Sequence, residues 1–181
     1  MNIYVRLAKQ QEIETTRLRL RPFSMKDTED MFEYRSVKSN LEFVFPAHRT
    51  KLQVEAFIAN HFMKQPLGKW AIELKTEQKM IGFIQFTKLA EQDSELSYVL
   101  NKNYWNQGLM TEALETLTNI CLHEIGLKAI SLHCDSRNYG SIQVAKKVGY
   151  KRVGQYKASN QYNIGRISQF EKYTIKNGNK S

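Results

Sequence analysis

Residues 101–112, NKNYWNQGLMTE, join two segments of opposite character. Ahead of them, residues 94–100 (SELSYVL) alternate as a strand does, with Leu96, Tyr98 and Leu100 on one face and Glu95, Ser97 and Val99 on the other. Behind them, Met110, Ala113, Leu114, Leu117, Cys121 and Ile125 form the apolar stripe of a helix running from about Gln107 to Ile125, which Gly126 ends. No Ser, Thr or Asp stands at the helix start to occupy its first amides, and Gly108 lets the backbone come close to a ligand. Free N–H groups and the positive end of the helix dipole make such a turn an anion site. The same stretch also serves as a plain connecting turn. Neither a Gly-x-x-x-x-Gly-Lys-Ser/Thr loop nor a Gly-x-Gly-x-x-Gly turn occurs.

Outward from this stretch, residues 128–134 read as a further strand. The segment from Ser94 to Cys134 is therefore strand, helix, strand, and that unit demands a parallel crossover. Asn138 opens a short helix that Gly149 stops, and Asn138 is an adequate N-cap. Residues 150–156 and 167–175 close with a hairpin. On the N-terminal side, residues 70–74 and 80–86 are strand-like, and the polar stretch Lys75 to Lys79 joins them. Residues 16–22 (TRLRLRP) alternate as a strand, and Ser24 with Asp27 begins a helix that runs to about residue 36. Thr50 caps another helix, where Val54, Phe57, Ile58, His61 and Phe62 recur until Pro66 and Gly68. This order predicts a mixed α/β sheet, neither doubly wound nor a sandwich.

The 181 residues, 41% hydrophobic and 11% aromatic, fit one domain over 1–181. Such a chain can remove roughly 70% of its unfolded surface on folding without staples. Cys121 and Cys134 lie inside apolar patterns and read as core residues in a reducing compartment. No apolar run approaches the ~20 residues of a membrane span, and residues 1–14 carry no secretory apolar region. The expected location is the cytoplasm. The net charge of +9 suits a nucleic acid, an acidic protein or membrane, or a polyphosphate ligand. The basic residues are scattered, apart from Arg17, Arg19 and Arg21, which read as the solvated face of a strand. His48, His61, His123 and His133 lack metal-ligand spacing, so no metal is expected and the histidines are assigned no chemistry.

Residues 104–113 (YWNQGLMTEA) resemble the pyrophosphate loop and following helix of the GNAT superfamily of N-acetyltransferases, and most of all its RimJ/RimL-like branch. Three more segments agree in order and spacing: Thr16 to Pro22, Glu95 to Leu100, and Asn138 to Ile142 followed by Lys147-Val148-Gly149-Tyr150. The resemblance spans about residues 14–176. It implies a mostly antiparallel sheet of about seven strands around the parallel crossover, with flanking helices. It also implies acetyl-CoA as co-substrate, no metal, and a primary amine as acceptor. Trp105, Asn106, Gln107, Gly108, Leu109, Met110 and Thr111 would form the cofactor loop, their amides holding the pyrophosphate with help from the Thr111 hydroxyl. The backbone near Val99 and Leu100 would pair with the pantetheine arm, as an added strand does, and an amide there would stabilise the oxyanion. Asn138 would bond the arm, and Ser141 would stand near the sulfur. Arg137, Lys146 and Lys147 would meet the ribose phosphate or form a wet helix face. The chain departs from the family's pattern in three places. Asn106 and Met110 replace small loop residues, although Asn106 tolerates left-handed geometry. Ala145 stands where many relatives carry a tyrosine acid. Ser97 replaces a glycine.

An alkylammonium must lose a proton before it attacks. Glu95 is the candidate base, on the strand face opposite Leu96 and Tyr98 and near the point where the parallel strands should part. The bland reading is a solvated carboxylate, and Glu73 is a weaker rival. Ser141 is the candidate donor to the departing thiolate. Trp105 reads as a packing residue that anchors the loop. The acceptor itself is set by residues 25–65 and 157–166, where Phe43, Phe45, Trp70 and Tyr162 line a pocket or belong to the core. A protein N-terminus, a polyamine and an antibiotic all fit, as does a non-catalytic acyl-CoA-binding module. A specific nucleic-acid site is not expected, because the chain lacks an aromatic RNA-binding strand. The apolar helix 50–64 offers a contact for a homodimer.

Overall fold

The strand read at residues 94–100 lies in the middle of an eight-stranded sheet. A computed structural model describes residues 2–43, 46–159 and 167–178. Its strands are β1 (Ile13–Glu14), β2 (Leu18–Arg21), β3 (Lys69–Leu74), β4 (Lys79–Lys88), β5 (Ser94–Leu100), β6 (Ala129–Asp135), β7 (Lys151–Ala158) and β8 (Ser168–Lys176). They lie in the order β1-β2-β3-β4-β5-β6-β8-β7. Every neighbouring pair is antiparallel except β5 with β6. The mixed, mostly antiparallel sheet with one parallel crossover is as expected. It gains the two-residue β1, and a short helix α1 (Ile3–Ala8) precedes it.

Helices cover both faces, because both faces of the central strands are apolar. The helix α4 (Leu109–Asn119) and α5 (Tyr139–Val148) pack over Leu96, Ile130, Leu132 and Cys134. Opposite them, α2 (Thr28–Arg35) and α3 (Lys51–Phe57) cover Ala71, Phe83 and Val99. Alternation along β5 thus sends Leu96 to one core and Val99 to the other.

Local chemistry ends the elements much as the sequence predicts. The Ser24 N–H donates to Asp27 Oδ2 at 2.9 Å, and the Gln53 N–H donates to Thr50 Oγ1 at 3.3 Å. The second helix runs past Phe57 through a wide-turn segment, Ile58–Met63, burying Ile58 and Phe62 and leaving Leu52 and Met63 outside. The helix expected from Gln107 begins two residues later, at Leu109, because Gly108 takes the left-handed conformation (φ 76°). Its last turn, Ile120–Glu124, is likewise wide, and Gly126 (φ 77°) follows it.

One feature of the sheet positions the site. Strands β5 and β6 pair only at Ser94↔Ile130, Glu95↔Ser131 and Leu96↔Leu132. Beyond Leu132, β6 stays paired with β8 as far as Asp135↔Phe170, while β5 stays paired with β4 as far as Gly82↔Leu100. A gap therefore opens between two strands that each remain anchored on the far side.

Candidate active site

The turn between β5 and α4 meets the physical requirements of an anion cradle. The first main-chain bond into α4 is Glu112 N–H to the Gly108 carbonyl, 3.0 Å, so the amides of Leu109, Met110 and Thr111 have no acceptor within the helix. No cap side chain takes them. Asn106 adopts φ 61° and Gly108 φ 76°, and a side chain at Gly108 would be strained whatever the space around it. Asn106 thus keeps the turn that the departure from small loop residues put at stake. Leu109 and Met110 point into the core, 2% and 5% exposed, so the Met110 side chain leaves the cradle clear. The Thr111 side chain is half-buried beside Gly108.

Arg17 braces this turn, a role its reading as a solvated strand residue missed. Its Nη1 donates to the Gln107 carbonyl at 2.9 Å and its Nε to Glu112 Oε2 at 2.7 Å. Glu112 also accepts from Thr15 Oγ1 at 2.6 Å and from the Arg17 N–H at 2.7 Å. Burial alone would raise its carboxyl, but these hydrogen bonds hold it below the ordinary value. Arg21 is similarly committed, bonding Asp27 and Glu73 at 2.7 Å and 2.6 Å. Glu73, the rival base, is therefore a structural ion-pair partner. A cleft of about 670 Å³ runs along this corner between Thr15, Gly108, Thr111, Glu115 and Lys147. Arg137 does not join it, because its guanidinium is paired with Asp135 at 2.8 Å and lies 5.5 Å from the Phe43 ring.

The β5 edge of the gap differs in one detail from expectation. Asn101 N–H bonds the Ile81 carbonyl at 2.7 Å, which fixes the phase of the β4–β5 ladder. Residue pairs alternate along an antiparallel ladder, so Val99 points its N–H and C=O at Phe83 of β4, and Tyr98 and Leu100 present theirs to the gap. Tyr98 and Leu100 thus replace Val99 as the main-chain edge open to a ligand. The Leu100 carbonyl already accepts from Trp105 Nε1 at 2.9 Å and from Asn40 Nδ2 at 3.2 Å. Trp105 ties the loop to the strand end through this bond, but at 42% exposed it is not the packing residue expected.

On the α5 side of the gap, three side chains meet. Ser141 Oγ lies 2.9 Å from the Tyr98 hydroxyl and 3.2 Å from Cys134 Sγ. The Tyr98 hydroxyl also donates to the Ser141 carbonyl at 3.1 Å. Burial raises the Tyr98 phenol far above its usual value and pushes the Cys134 thiol up to about 11, so both keep their protons at neutral pH. A protonated, buried Cys134 is no nucleophile. Asn138 caps α5 by accepting from the Ser141 N–H at 3.1 Å, and this fixes where Ser141 points. Tyr98 was legible only as an alternating core residue. Its hydroxyl now stands beside Ser141, in a chain whose position 145 is alanine.

On the opposite side of the sheet, Glu95 Oε1 lies 3.7 Å from His133 Nε2 and 3.9 Å from Lys88 Nζ. His133 Nδ1 is hydrogen-bonded to the Tyr156 hydroxyl at 2.7 Å. Further along, His61 Nε2 and Gln85 Oε1 are 2.8 Å apart, and the Gln85 amide reaches Ser97 Oγ at 3.4 Å. Burial lowers both imidazoles below their ordinary range, so each is neutral at pH 7. The sequence held no signal for either histidine, because their partners lie 23 or more residues away. Trp70, expected as a pocket or core residue, is core: it is 1% exposed and its Nε1 donates to the Gln10 carbonyl at 2.9 Å. Phe45 and Tyr162 lie outside the described residues. Among the described residues no cluster of His, Cys, Asp and Glu could hold a metal, and no helix is long and apolar enough to cross a membrane.

The uncapped amides that follow β5 thus accompany the parting of β5 from β6. The Acetyltransferase (GNAT) domain family matches residues 17–151. The chain belongs to the GNAT acetyltransferase family. It is 32% identical over 146 residues to the uncharacterized N-acetyltransferase YnaD of Bacillus subtilis, covering 80% of this chain and 85% of YnaD. It superposes on a GNAT-family acetyltransferase from Bacillus anthracis with a TM-score of 0.82 at 25% identity, over 92% of this chain and 98% of that one. It also shares the fold of RimL, a ribosomal alpha-N-protein acetyltransferase solved with coenzyme A. That match has a TM-score of 0.77 at 17% identity over 91% and 97% of the two chains. Membership of this family supports acetyl-CoA-dependent acetyl transfer.

Proposed function

We propose that the protein transfers acetyl from acetyl-CoA to the primary amine of a protein N-terminus, as a RimJ/RimL-like N-acetyltransferase. The observation that carries this reading is the junction of the uncapped Leu109–Thr111 amides with the β5–β6 gap. A diphosphate suits three converging N–H groups at a helix start, and a thin polyamide arm suits an open strand edge. Acetyl-CoA supplies an acyl group already activated as a thioester, so the chain needs no covalent intermediate. The backbone of Tyr98 and Leu100 orients the arm, and an amide on this edge takes the developing oxyanion charge. Ser141, backed by the Tyr98 hydroxyl, hands a proton to the departing thiolate. Glu95 faces the acceptor from the other side of the sheet. Asn138 and Lys147 lie beside the arm and the adenosine end. The N-terminal-amine acceptor is supported by the RimL likeness; a polyamine or an antibiotic amine is the alternative.

Calorimetry with acetyl-CoA and with CoA tests the first half. Thiol-release assays on short peptides with free amino termini, polyamines and aminoglycosides test the second. Acetylation of peptides above the small amines is expected. Tight binding of acetyl-CoA with no amine acetylated would make the protein a binding module instead.

A further inference from the structure

The unexpected group on the acceptor side is His133, and its surroundings suit an incoming ammonium. It is the first residue of β6 beyond the last β5–β6 pair, Leu96↔Leu132, so it stands at the apex of the gap. Its Nε2 is 3.7 Å from Glu95 Oε1. That is too long for a hydrogen bond between them. It is short enough for one nitrogen to donate to both at ~2.8–2.9 Å each. The other ring nitrogen is held by Tyr156, which fixes the plane of the imidazole.

We propose that His133 is the catalytic base that deprotonates the acceptor ammonium, with Glu95 as the second acceptor of the same nitrogen and Tyr156 as the positioning residue. This rests on the acetyltransferase reading above. The ammonium bridges Nε2 and the carboxylate, and one N–H proton moves to Nε2. The nitrogen lone pair then forms the new C–N bond at the acetyl carbon, and the C–S bond breaks. A second nitrogen proton replaces the one that Ser141 hands to the thiolate, which leaves as thiol. The imidazolium, stabilised by the Glu95 carboxylate, returns its proton to water.

The charges facing His133 fit this role. Burial holds its pKa below the usual value, Glu95 and Asp93 raise it, and Lys172 and Lys88 lower it. Lys172 is bonded to Asp93 at 3.0 Å and Lys88 leans on Glu95 at 3.9 Å, so neither lysine stands alone beside the imidazole. A base neutral at pH 7 accepts a proton; below its pKa it is already charged and repels the ammonium.

His133→Gln tests this, assayed with acetyl-CoA and the best peptide or small amine of the wild-type panel. The variant should lose ~10²–10⁴-fold in kcat/KM for the amine, the usual range for general-base catalysis. The wild-type loss of rate below pH 6.5 should vanish from its pH profile, and added imidazole should restore part of the rate. Acetyl-CoA affinity by calorimetry should stay within about twofold. Tyr156→Phe should lose less, and His123→Gln, on a distant exposed helix end, should keep the wild-type profile. A His133→Gln rate near wild type with the acid limb intact overturns the inference and leaves the proposed function standing. A wild-type protein that binds acetyl-CoA and acetylates nothing overturns both.

Discussion

The two sides of the β5–β6 gap are built by different physics. On the α4–α5 side the important groups are main-chain amides, or hydroxyls locked to the helix and strand that carry them. Ser141 is fixed by the Asn138 cap and by Tyr98, and the loop is fixed by Arg17 and Glu112. On the α2–α3 side, Glu95, His133, Tyr156, His61 and Gln85 come from four strands and a helix turn. On the acetyltransferase reading the first side would hold the cofactor largely with backbone geometry, and its loop, residues 106–111, is contiguous, although Arg17 and Ser141 reach their partners from 90 and 43 positions away. The second would meet the acceptor with side chains gathered across the sheet. A domain of this kind can therefore change its acceptor without disturbing its cofactor grip.

The sharpest way to break this contrast is Gly108→Val. The position needs φ 76°, which costs an ordinary residue about 1–2 kcal/mol. The distorted turn should weaken acetyl-CoA binding ~100-fold by calorimetry while leaving the acceptor side intact, and an unchanged Kd would remove the cradle from the site. Next in size, Glu95→Gln should lower kcat/KM for the amine ~10–100-fold through a weaker hold on the ammonium and its base. Acetyl-CoA affinity should not change; a matching fall in affinity would show that the two sides are coupled. Smaller again, Ser141→Ala should cost about tenfold in kcat. Tyr98→Phe should add little to it if the two hydroxyls act as one chain, and additive losses in a double-mutant cycle would separate them.

The smallest effect concerns acid. Burial and the neighbouring Arg35 lower His48 to about 4. A group whose pKa is lower folded than unfolded makes the unfolded chain the stronger proton binder. Its stabilising contribution is therefore whole above pH 6.5 and is lost as pH falls toward 4. The melting temperature should drop by a few degrees over that window, and His48→Gln should flatten the drop. An identical pH dependence in the variant would shift the effect to His61 and His133.

Much of the fold was legible in local pattern. The alternation at 94–100, the apolar stripe of 110–125 and the glycines at 108, 126 and 149 each state a backbone requirement that neighbours in sequence impose. The short α1 and β1 escaped notice because six and two residues are too few to show a period. Arg17 looked like a wet strand residue because its partners, Gln107 and Glu112, are 90 and 95 positions away.

What the sequence by itself determined is the set of requirements carried by contiguous residues: which strand is central, where a helix begins without a side-chain cap, and which turn must accept a left-handed backbone. Only the tertiary structure decided that β5 and β6 part after Leu96↔Leu132, that Tyr98 rather than Val99 offers its main chain to the gap, and that His133 faces Glu95. Hydrophobic period and backbone sterics act over a few residues and leave a trace in the string. The pairing of polar side chains depends on sheet register, which brings together residues that nothing in the local sequence connects.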